Sequence, residues 1–163
     1  LAVSPFVDDV KEIIKIGLSM IPENCRLNSA IKDVISWHDE KINFEEAISR
    51  IHRLWDENNS HHWCHTISNA QIVAMGLLFG EGDFEKSICR AVQACFDTDC
   101  NGATVGSIIG MMLGAKKLPL RKWVSPLNNE LETGISGYNL VKISNLAKEG
   151  FEVYKKINGS RDL

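Results

Sequence analysis

Residues 67–114 decide the fold, and they read ISNAQIVAMGLLFGEGDFEKSICRAVQACFDTDCNGATVGSIIGMMLG. Residues 67–79 are apolar on nearly all sides, which is typical of a helix buried within a bundle. Residues 84–95 repeat apolar side chains at helical spacing, and residues 101–115 follow as another helix. Three apolar helices joined by short turns predict an all-α fold.

The helical pattern continues on both sides of this stretch. Four further helices are predicted, over residues 6–21, 29–41, 43–58 and 141–157. Asn43 is the expected N-cap of the third of these, with Glu46 three residues later as in a capping pair. Residues 116–139 contain prolines and glycines and are predicted to form a long loop, with no strand pair. We therefore expect one all-helical domain over residues 1–163.

Composition limits the class of protein. Of the 163 residues, 44% are hydrophobic and 24% are charged, which is ordinary for a globular domain with a core. The formal net charge of −3 argues against nucleic acid as the main partner. Five irregularly spaced cysteines do not indicate a disulfide framework. No signal peptide or bilayer-length apolar run is present in the sequence, so we expect a cytoplasmic protein that does not enter membranes.

Four glycines recur at every fourth position of the helix predicted over residues 101–115. They are Gly102, Gly106, Gly110 and Gly114, and this spacing places them on one helix face. Glycine weakens a helix by about 1 kcal/mol per position relative to alanine, so four glycines on one face require an explanation. We expect that another backbone or a ligand closely approaches this face.

The residues that carry chemistry begin this helix: Asp97-Thr98-Asp99-Cys100-Asn101-Gly102. Two aspartates at i and i+2 can direct carboxylate oxygens toward one point, and such oxygens are the ligands of magnesium. Two alternatives are structural: Asp99 or Asn101 caps the helix, or Asp97 is a solvated turn residue. The spacing alone leaves these readings open.

Three runs of sequence resemble one family. They are Asn69-Ala70 through Leu78, Gly80 through Glu85, and Asp97 through Gly110. They look like the C-terminal signature of the ADP-ribosylglycohydrolases, a group that includes dinitrogenase reductase-activating glycohydrolase. The resemblance covers most of the chain and is strongest over residues 65–124.

The resemblance implies an all-α fold that binds two Mg²⁺ or Mn²⁺ ions and cleaves the glycosidic bond at C1″ of ADP-ribose. Asp97 and Asp99 match catalytic metal ligands of the family. The next position there is often a threonine that also binds the metal, which makes Cys100 a third candidate ligand, although its soft thiol suits magnesium poorly. The implied partner is an ADP-ribosylated protein or a small molecule that contains ADP-ribose.

The family's other metal ligands belong to a threonine-aspartate-aspartate motif near its N-terminus, which this sequence lacks. The chain begins at Leu1 rather than methionine, as processing or a cut within a longer protein would explain. We expect it to be the C-terminal half of the family's fold, and to form a dimer or to bind the missing half, because an opened bundle exposes apolar faces.

A second cluster precedes the family signature: His61, His62, Cys64 and His65. His61 and His65 at i and i+4 are compatible with zinc on one helix face, but the glutamate of the metalloprotease pattern is absent. A loop beside the active cleft and a surface cluster are the other readings. Because the signature begins here, His65 and Asn69 are candidates for residues near the substrate.

Two further functions compete with the hydrolase. One is a catalytically inactive relative that binds ADP-ribose or serves a structural role, and the other is an unrelated helical interaction domain. The intact Asp97 and Asp99 favour the hydrolase over the first, because no structural role demands both. The spaced glycines beside them weigh against the second.

Overall fold

Eight α-helices make up most of the computed structural model, which describes residues 1–158. They are α1 Val10–Leu18, α2 Arg26–Asp39, α3 Phe44–Leu54, α4 Ser60–Trp63, α5 Thr66–Gly80, α6 Phe84–Gln93, α7 Thr98–Leu113 and α8 Ile143–Asn158. Short 3₁₀ turns occupy Ser4–Phe6, Ala115–Lys117 and Ser125–Leu127, and a single π turn occupies Leu120–Val124. The expected all-α class is confirmed.

The chain forms two compact units, Leu1–Lys117 and Leu118–Leu163. Helices α1 to α7 belong to the first unit, and α8 belongs to the second. The expectation of one domain over residues 1–163 stays a prediction.

Helix α5 is the centre of the first unit. It packs against α1, α2, α3, α4, α6 and α7. Ile72, Met75 and Leu78 on this helix are fully buried, as the absence of a polar face in their sequence predicts. Val105 and Ile109 of α7 join the same core. The helix that carries the two aspartates is therefore anchored directly on the central helix.

Two helix starts follow local sequence rules. The Asn43 Oδ1 accepts the Glu46 backbone N–H at 2.8 Å, and the Asp83 Oδ1 accepts that of Lys86 at 2.7 Å. The predicted N-cap at Asn43 is confirmed, and Asp83 caps α6 in the same way. The Glu46 carboxylate does not complete a capping box, because it accepts hydrogen bonds from Arg50 and Arg53 instead.

The helix predicted over residues 43–58 is shorter than expected. Helix α3 ends at Leu54, and Asn59 caps the separate helix α4 by accepting the His61 N–H at 2.9 Å. His65 is the N-cap of α5, so His61 and His65 do not lie on one continuous helix. The local cap at Asn59 explains the break.

The long loop predicted over residues 116–139 is also corrected. Strand β1, Glu130–Glu132, pairs antiparallel with β2, Leu140–Lys142, so that Glu130 faces Lys142. Their side chains form an ion pair of 2.7 Å. Three-residue strands with mostly exposed side chains give too short an alternation to be recognised in sequence.

Three of the four glycines on this face of α7 meet side chains of α6, whereas Gly114 is the C-cap and has no atom within 4 Å of a Cβ built on it. A Cβ built on Gly102 would lie 3.2 Å from Val92 Cγ2, and one on Gly106 would lie 3.2 Å from Ile88 Cδ1. Both partners belong to the apolar stripe of α6. The expected close approach of a backbone occurs instead between α5 and α6, where a Cβ on Gly80 would lie 2.4 Å from the Ser87 Cα.

No helix within residues 1–158 is long and apolar enough to cross a lipid bilayer.

Candidate functional site

A turn in an unusual backbone conformation precedes the two aspartates. Cys95 and Phe96 have φ values of 65° and 58°, in the left-handed region. Neither is glycine or asparagine, and such a conformation costs a residue with a Cβ about 1–2 kcal/mol. Strain of this kind persists only where surrounding contacts over-determine it, and it concentrates at functional sites. The turn is therefore the first indication of a site at Asp97.

Side chains from three other helices hold this turn. His52 of α3 places its Nε2 3.0 Å from the Ala94 carbonyl oxygen. The Trp63 Nε1–H of α4 donates to the Phe96 carbonyl oxygen at 3.0 Å. Asn69 of α5 accepts the Asp97 backbone N–H at 3.3 Å. The backbone on both sides of the strained residues is thus bonded to other parts of the first unit.

Asn69 also reaches the first turn of α7. Its Oδ1 accepts the Asn101 Nδ2–H at 2.7 Å, and Asn101 is 1% exposed. Its own Nδ2 donates to the carbonyl oxygens of Trp63, at 2.9 Å, and His65, at 3.1 Å. One amide therefore links the start of α5 to the start of α7.

The two aspartates occupy different positions on α7. Thr98 is the first helical residue, so Asp97 is at the N-cap position and Asp99 is within the first turn. The Asp97 side chain makes no capping hydrogen bond. Neither Asp99 nor Asn101 is at the N-cap, so the capping alternatives for these two residues do not describe this structure.

The electrostatics of the pair follow from this placement. Partial burial raises the pKa of the half-buried Asp97 carboxyl above its ordinary value, and the neighbouring Asp99 carboxyl raises it further. The Cys100 backbone N–H near this carboxyl lowers the pKa, although the contact does not reach the geometry of a capping hydrogen bond. A bound cation would stabilise the charged form of a carboxyl that burial and a neighbouring carboxylate disfavour, as at Asp97.

The donor atoms fit a magnesium or manganese ion in part. Two carboxylates offer hard oxygen ligands, and Mg²⁺ commonly uses one or two carboxylates with waters in its remaining positions. Cys100 is exposed, and its soft thiol does not suit such an ion. Within residues 1–158, no three His, Cys, Asp or Glu side chains are grouped so that they could hold a metal ion. Asp97 and Asp99 therefore offer two of the oxygen ligands that such an ion would need, and no more.

The histidine cluster is organised around Trp55. The His65 ring stacks on Trp55 with 4.7 Å between ring centroids, and the His62 ring meets it edge-on at 5.4 Å. His65 Nδ1 accepts the Ile67 N–H at 3.1 Å, which makes it the cap of α5. Because Asn69 bonds the His65 carbonyl oxygen and the Asp97 N–H, the structure brings the backbone of His65 close to the aspartates.

An apolar groove lies elsewhere in the first unit. It has a volume of about 390 Å³ and is lined by residues of α1, α2, α5 and α7, including Ile13, Leu18, Ile31 and Leu77. Asp97 and Asp99 do not line it. The groove is therefore separate from the carboxylate pair.

Sequence reasoning missed three residues of the site: His52, Trp63 and Asn101. Each acts through a hydrogen bond to the backbone or amide of a residue distant in sequence, and Asn101 was considered only as a cap. No spacing rule marks such residues in advance, although the nearness of Asn101 to the aspartates is a local signal.

One comparison with known proteins finds a match. A family model described as ADP-ribosylglycohydrolase matches residues 1–159. The match extends well beyond residues 65–124, where the resemblance of the sequence is strongest. No curated protein and no solved structure matches the chain.

Proposed function

The chain belongs to the ADP-ribosylglycohydrolase family, and from that premise we propose that Asp97 and Asp99 form one arm of a site that hydrolyses the glycosidic bond at C1″ of ADP-ribose. The family indicates a hydrolase of this general type. The observation that carries the finer proposal is the carboxylate pair at the start of α7, on a strained turn that α3, α4 and α5 hold in place.

Two Mg²⁺ or Mn²⁺ ions are the proposed cofactors, and when bound they would supply Lewis-acid activation of a water and a hold on the ribose hydroxyls. In this chain Asp97 and Asp99 would bind them through carboxylate oxygens. Asp99 is exposed and Asp97 is half-buried, so one carboxylate would bind the ion from the surface and the other from within the first unit. Cys100 is not proposed as a ligand.

The remaining ligands and the carboxylate that moves the proton are proposed to come from another segment. The reason is that the described residues hold only a two-carboxylate arm. An N-terminal half of the family's fold would supply them, either within a longer chain or as a partner. The proposed substrate is an ADP-ribosylated protein or a small molecule containing ADP-ribose, in the cytoplasm, with no role for nucleic acid or membrane.

Manganese binding tests the metal arm directly. Mn²⁺ is titrated into the protein while EPR reports the free ion, with Asp99→Asn and Asp83→Asn compared with wild type. Asp99→Asn should weaken binding, because it removes a charged oxygen ligand. Asp83→Asn removes the same charge at the N-cap of α6, where asparagine caps as well as aspartate, and it should leave binding unchanged. Equal binding by wild type and Asp99→Asn would contradict the proposed arm.

ADP-ribose release tests the activity. Arginine-linked and serine-linked ADP-ribose conjugates are incubated with Mg²⁺ and the protein, alone and with the N-terminal half of a family relative. Release that depends on Asp97 and Asp99 in either mixture supports hydrolysis. Manganese binding without release in both mixtures would instead identify a catalytically inactive relative that binds ADP-ribose or serves a structural role.

A further inference from the structure

The carboxamide of Asn69 uses its whole hydrogen-bonding capacity within the protein. Its oxygen accepts from the Asp97 backbone N–H and the Asn101 amide, and its nitrogen donates to the carbonyls of Trp63 and His65. We propose that Asn69 is a positioning residue, which fixes the turn carrying Asp97 and Asp99 without touching the substrate. Its effect on metal binding rests on the proposed function; its effect on the turn does not.

The chemistry of the partners sets the orientation of this amide. Both groups near Oδ1 are N–H donors, and both groups near Nδ2 are carbonyl acceptors. Rotating the amide by half a turn would set donors against donors and acceptors against acceptors. The oxygen is therefore held toward the aspartate turn, and no hydrogen bond of Asn69 is left for a ligand.

The hydrogen bonds form a closed ring through the strained turn. Asn69 donates to the Trp63 carbonyl, and the Trp63 indole donates to the Phe96 carbonyl. The Asp97 N–H, next along the chain, donates back to Asn69. Loss of Asn69 should therefore loosen both the α4–α5 connection and the turn. Without these hydrogen bonds, Cys95 and Phe96 could leave their strained left-handed conformations.

The fourth bond connects this ring to the helix. Asn101 lies in the first turn of α7, and its buried amide donates to Asn69 at 2.7 Å. Asn69 thus contacts the chain on both sides of Asp99, at positions 97 and 101. These two contacts restrict the backbone from which the Asp97 and Asp99 side chains extend. The two carboxylates must keep a fixed relative orientation if they are to bind one cation together.

Mn²⁺ affinity distinguishes positioning from general stability. Asn69→Ala should weaken Mn²⁺ binding by about tenfold or more, the usual effect of removing a residue that orients metal ligands. The matched control is Asn28→Ala, which removes another buried amide, on α2, that hydrogen-bonds to the Leu18 carbonyl. It should lower the melting temperature while leaving the Mn²⁺ affinity unchanged. Trp63→Phe removes the indole N–H and leaves a smaller aromatic ring at a half-exposed position, so it provides a milder second variant with a smaller loss of affinity.

Amide hydrogen exchange, followed by NMR without metal, provides the second readout. The Asp97 N–H should exchange faster in Asn69→Ala than in wild type, and Asn28→Ala should not alter it. Unchanged Mn²⁺ affinity in Asn69→Ala and in Trp63→Phe would overturn the inference while leaving the proposed metal arm intact. If wild type binds no Mn²⁺, the proposed arm fails, and exchange decides alone: faster exchange at Asp97 supports positioning of the turn, and unchanged exchange overturns it.

Discussion

At the scale of single residues, the two left-handed positions before Asp97 have opposite surroundings. Cys95 is exposed, whereas Phe96 is 4% exposed and belongs to the core. The Phe96 ring lies 5.0 Å from that of His52. The same backbone strain is therefore accompanied by side-chain burial at one position and not at the other.

Replacing these two residues by glycine should give opposite results. Cys95→Gly removes the Cβ that disfavours the left-handed conformation and should stabilise the protein by about 0.5–1 kcal/mol. Phe96→Gly should destabilise it by about 3 kcal/mol or more, because a buried aromatic ring is lost. Urea denaturation measures both. Lys41→Gly, at another exposed left-handed residue, should resemble Cys95→Gly; destabilisation by both exposed variants would contradict the assignment of strain.

Glu46 contributes pH-dependent stability. Hydrogen bonds from Arg53 and then Arg50 lower the pKa of Glu46 below its ordinary value. A carboxyl whose pKa is lowered by folding stabilises the native state above its unfolded pKa, and this contribution is lost as the pH falls through the folded pKa.

Glu46→Gln should therefore lower the melting temperature at about pH 7, and this effect should shrink toward about pH 2 as the wild-type carboxyl becomes protonated. Thermal unfolding monitored by circular dichroism measures the difference. Arg53→Gln removes the largest cause of the lowered pKa, so in that background Glu46→Gln should have a smaller effect on the melting temperature at about pH 7. The same difference between wild type and Glu46→Gln at both pH values would contradict the linkage.

At the scale of elements, small residues determine how α5 and α6 pack. A Cβ on Gly76 would lie 2.9 Å from Ala91 Cβ, and a Cβ on Gly80 would lie 2.1 Å from Ser87 Oγ. The buried Ser87 hydroxyl has no hydrogen-bond partner. The two helices therefore pack closely at the cost of a hydrogen bond to this hydroxyl. The α6–α7 pair packs differently, because Ile88 and Val92 fill the space beside the α7 glycines.

Alanine substitutions separate close packing from helix propensity. Gly80→Ala should destabilise the protein by about 1–3 kcal/mol or more, since backbone atoms of Ser87 must move. Gly17→Ala in α1 meets no atom within 4 Å and should stabilise it by about 0.5–1 kcal/mol through helix propensity alone. Both are measured by urea denaturation, and a neutral Gly80→Ala would show that the helices separate easily.

At the scale of the molecule, the first unit is organised around one central helix. Helix α5 contacts six other helices, and its side chains include several of the most buried in the unit. Stability should therefore depend strongly on α5. Apolar side chains of α8 in the second unit, such as Phe151 and Ile157, are largely exposed. Association with a second copy or a partner, which light scattering measures, stays a prediction.

Two methionines test where the core lies. Met75 on α5 is 0% exposed, and Met20, after α1, is 80% exposed. Met75→Ala should destabilise the protein by about 2–5 kcal/mol, through lost burial and the cavity left behind. Met20→Ala should change stability by less than about 0.5 kcal/mol. Chemical denaturation of both variants is the measurement, and similar losses would contradict a core centred on α5.

The sequence by itself determined the features that depend on local chemistry. Helix order, the caps at Asn43 and Asp83 and the burial of α5 follow from periodicity and from side-chain oxygens near free N–H groups. The carboxylate pair at positions 97 and 99 and the family signature around it are also properties of consecutive residues. Helix ends were predicted less well where a nearby polar residue, such as Asn59, began a new helix.

Only the tertiary structure decided what holds the carboxylates. Asn69 meets Asp97 across 28 residues, and Trp63 meets Phe96 across 33. It also decided that α6 side chains fill the glycine face of α7 and that Cys95 and Phe96 take left-handed conformations without glycine or asparagine. Such contacts have no period along the chain, because they form where packed helices bring distant residues together. At Cys95 and Phe96, the contacts of the whole turn outweigh the backbone conformation that each residue prefers by itself.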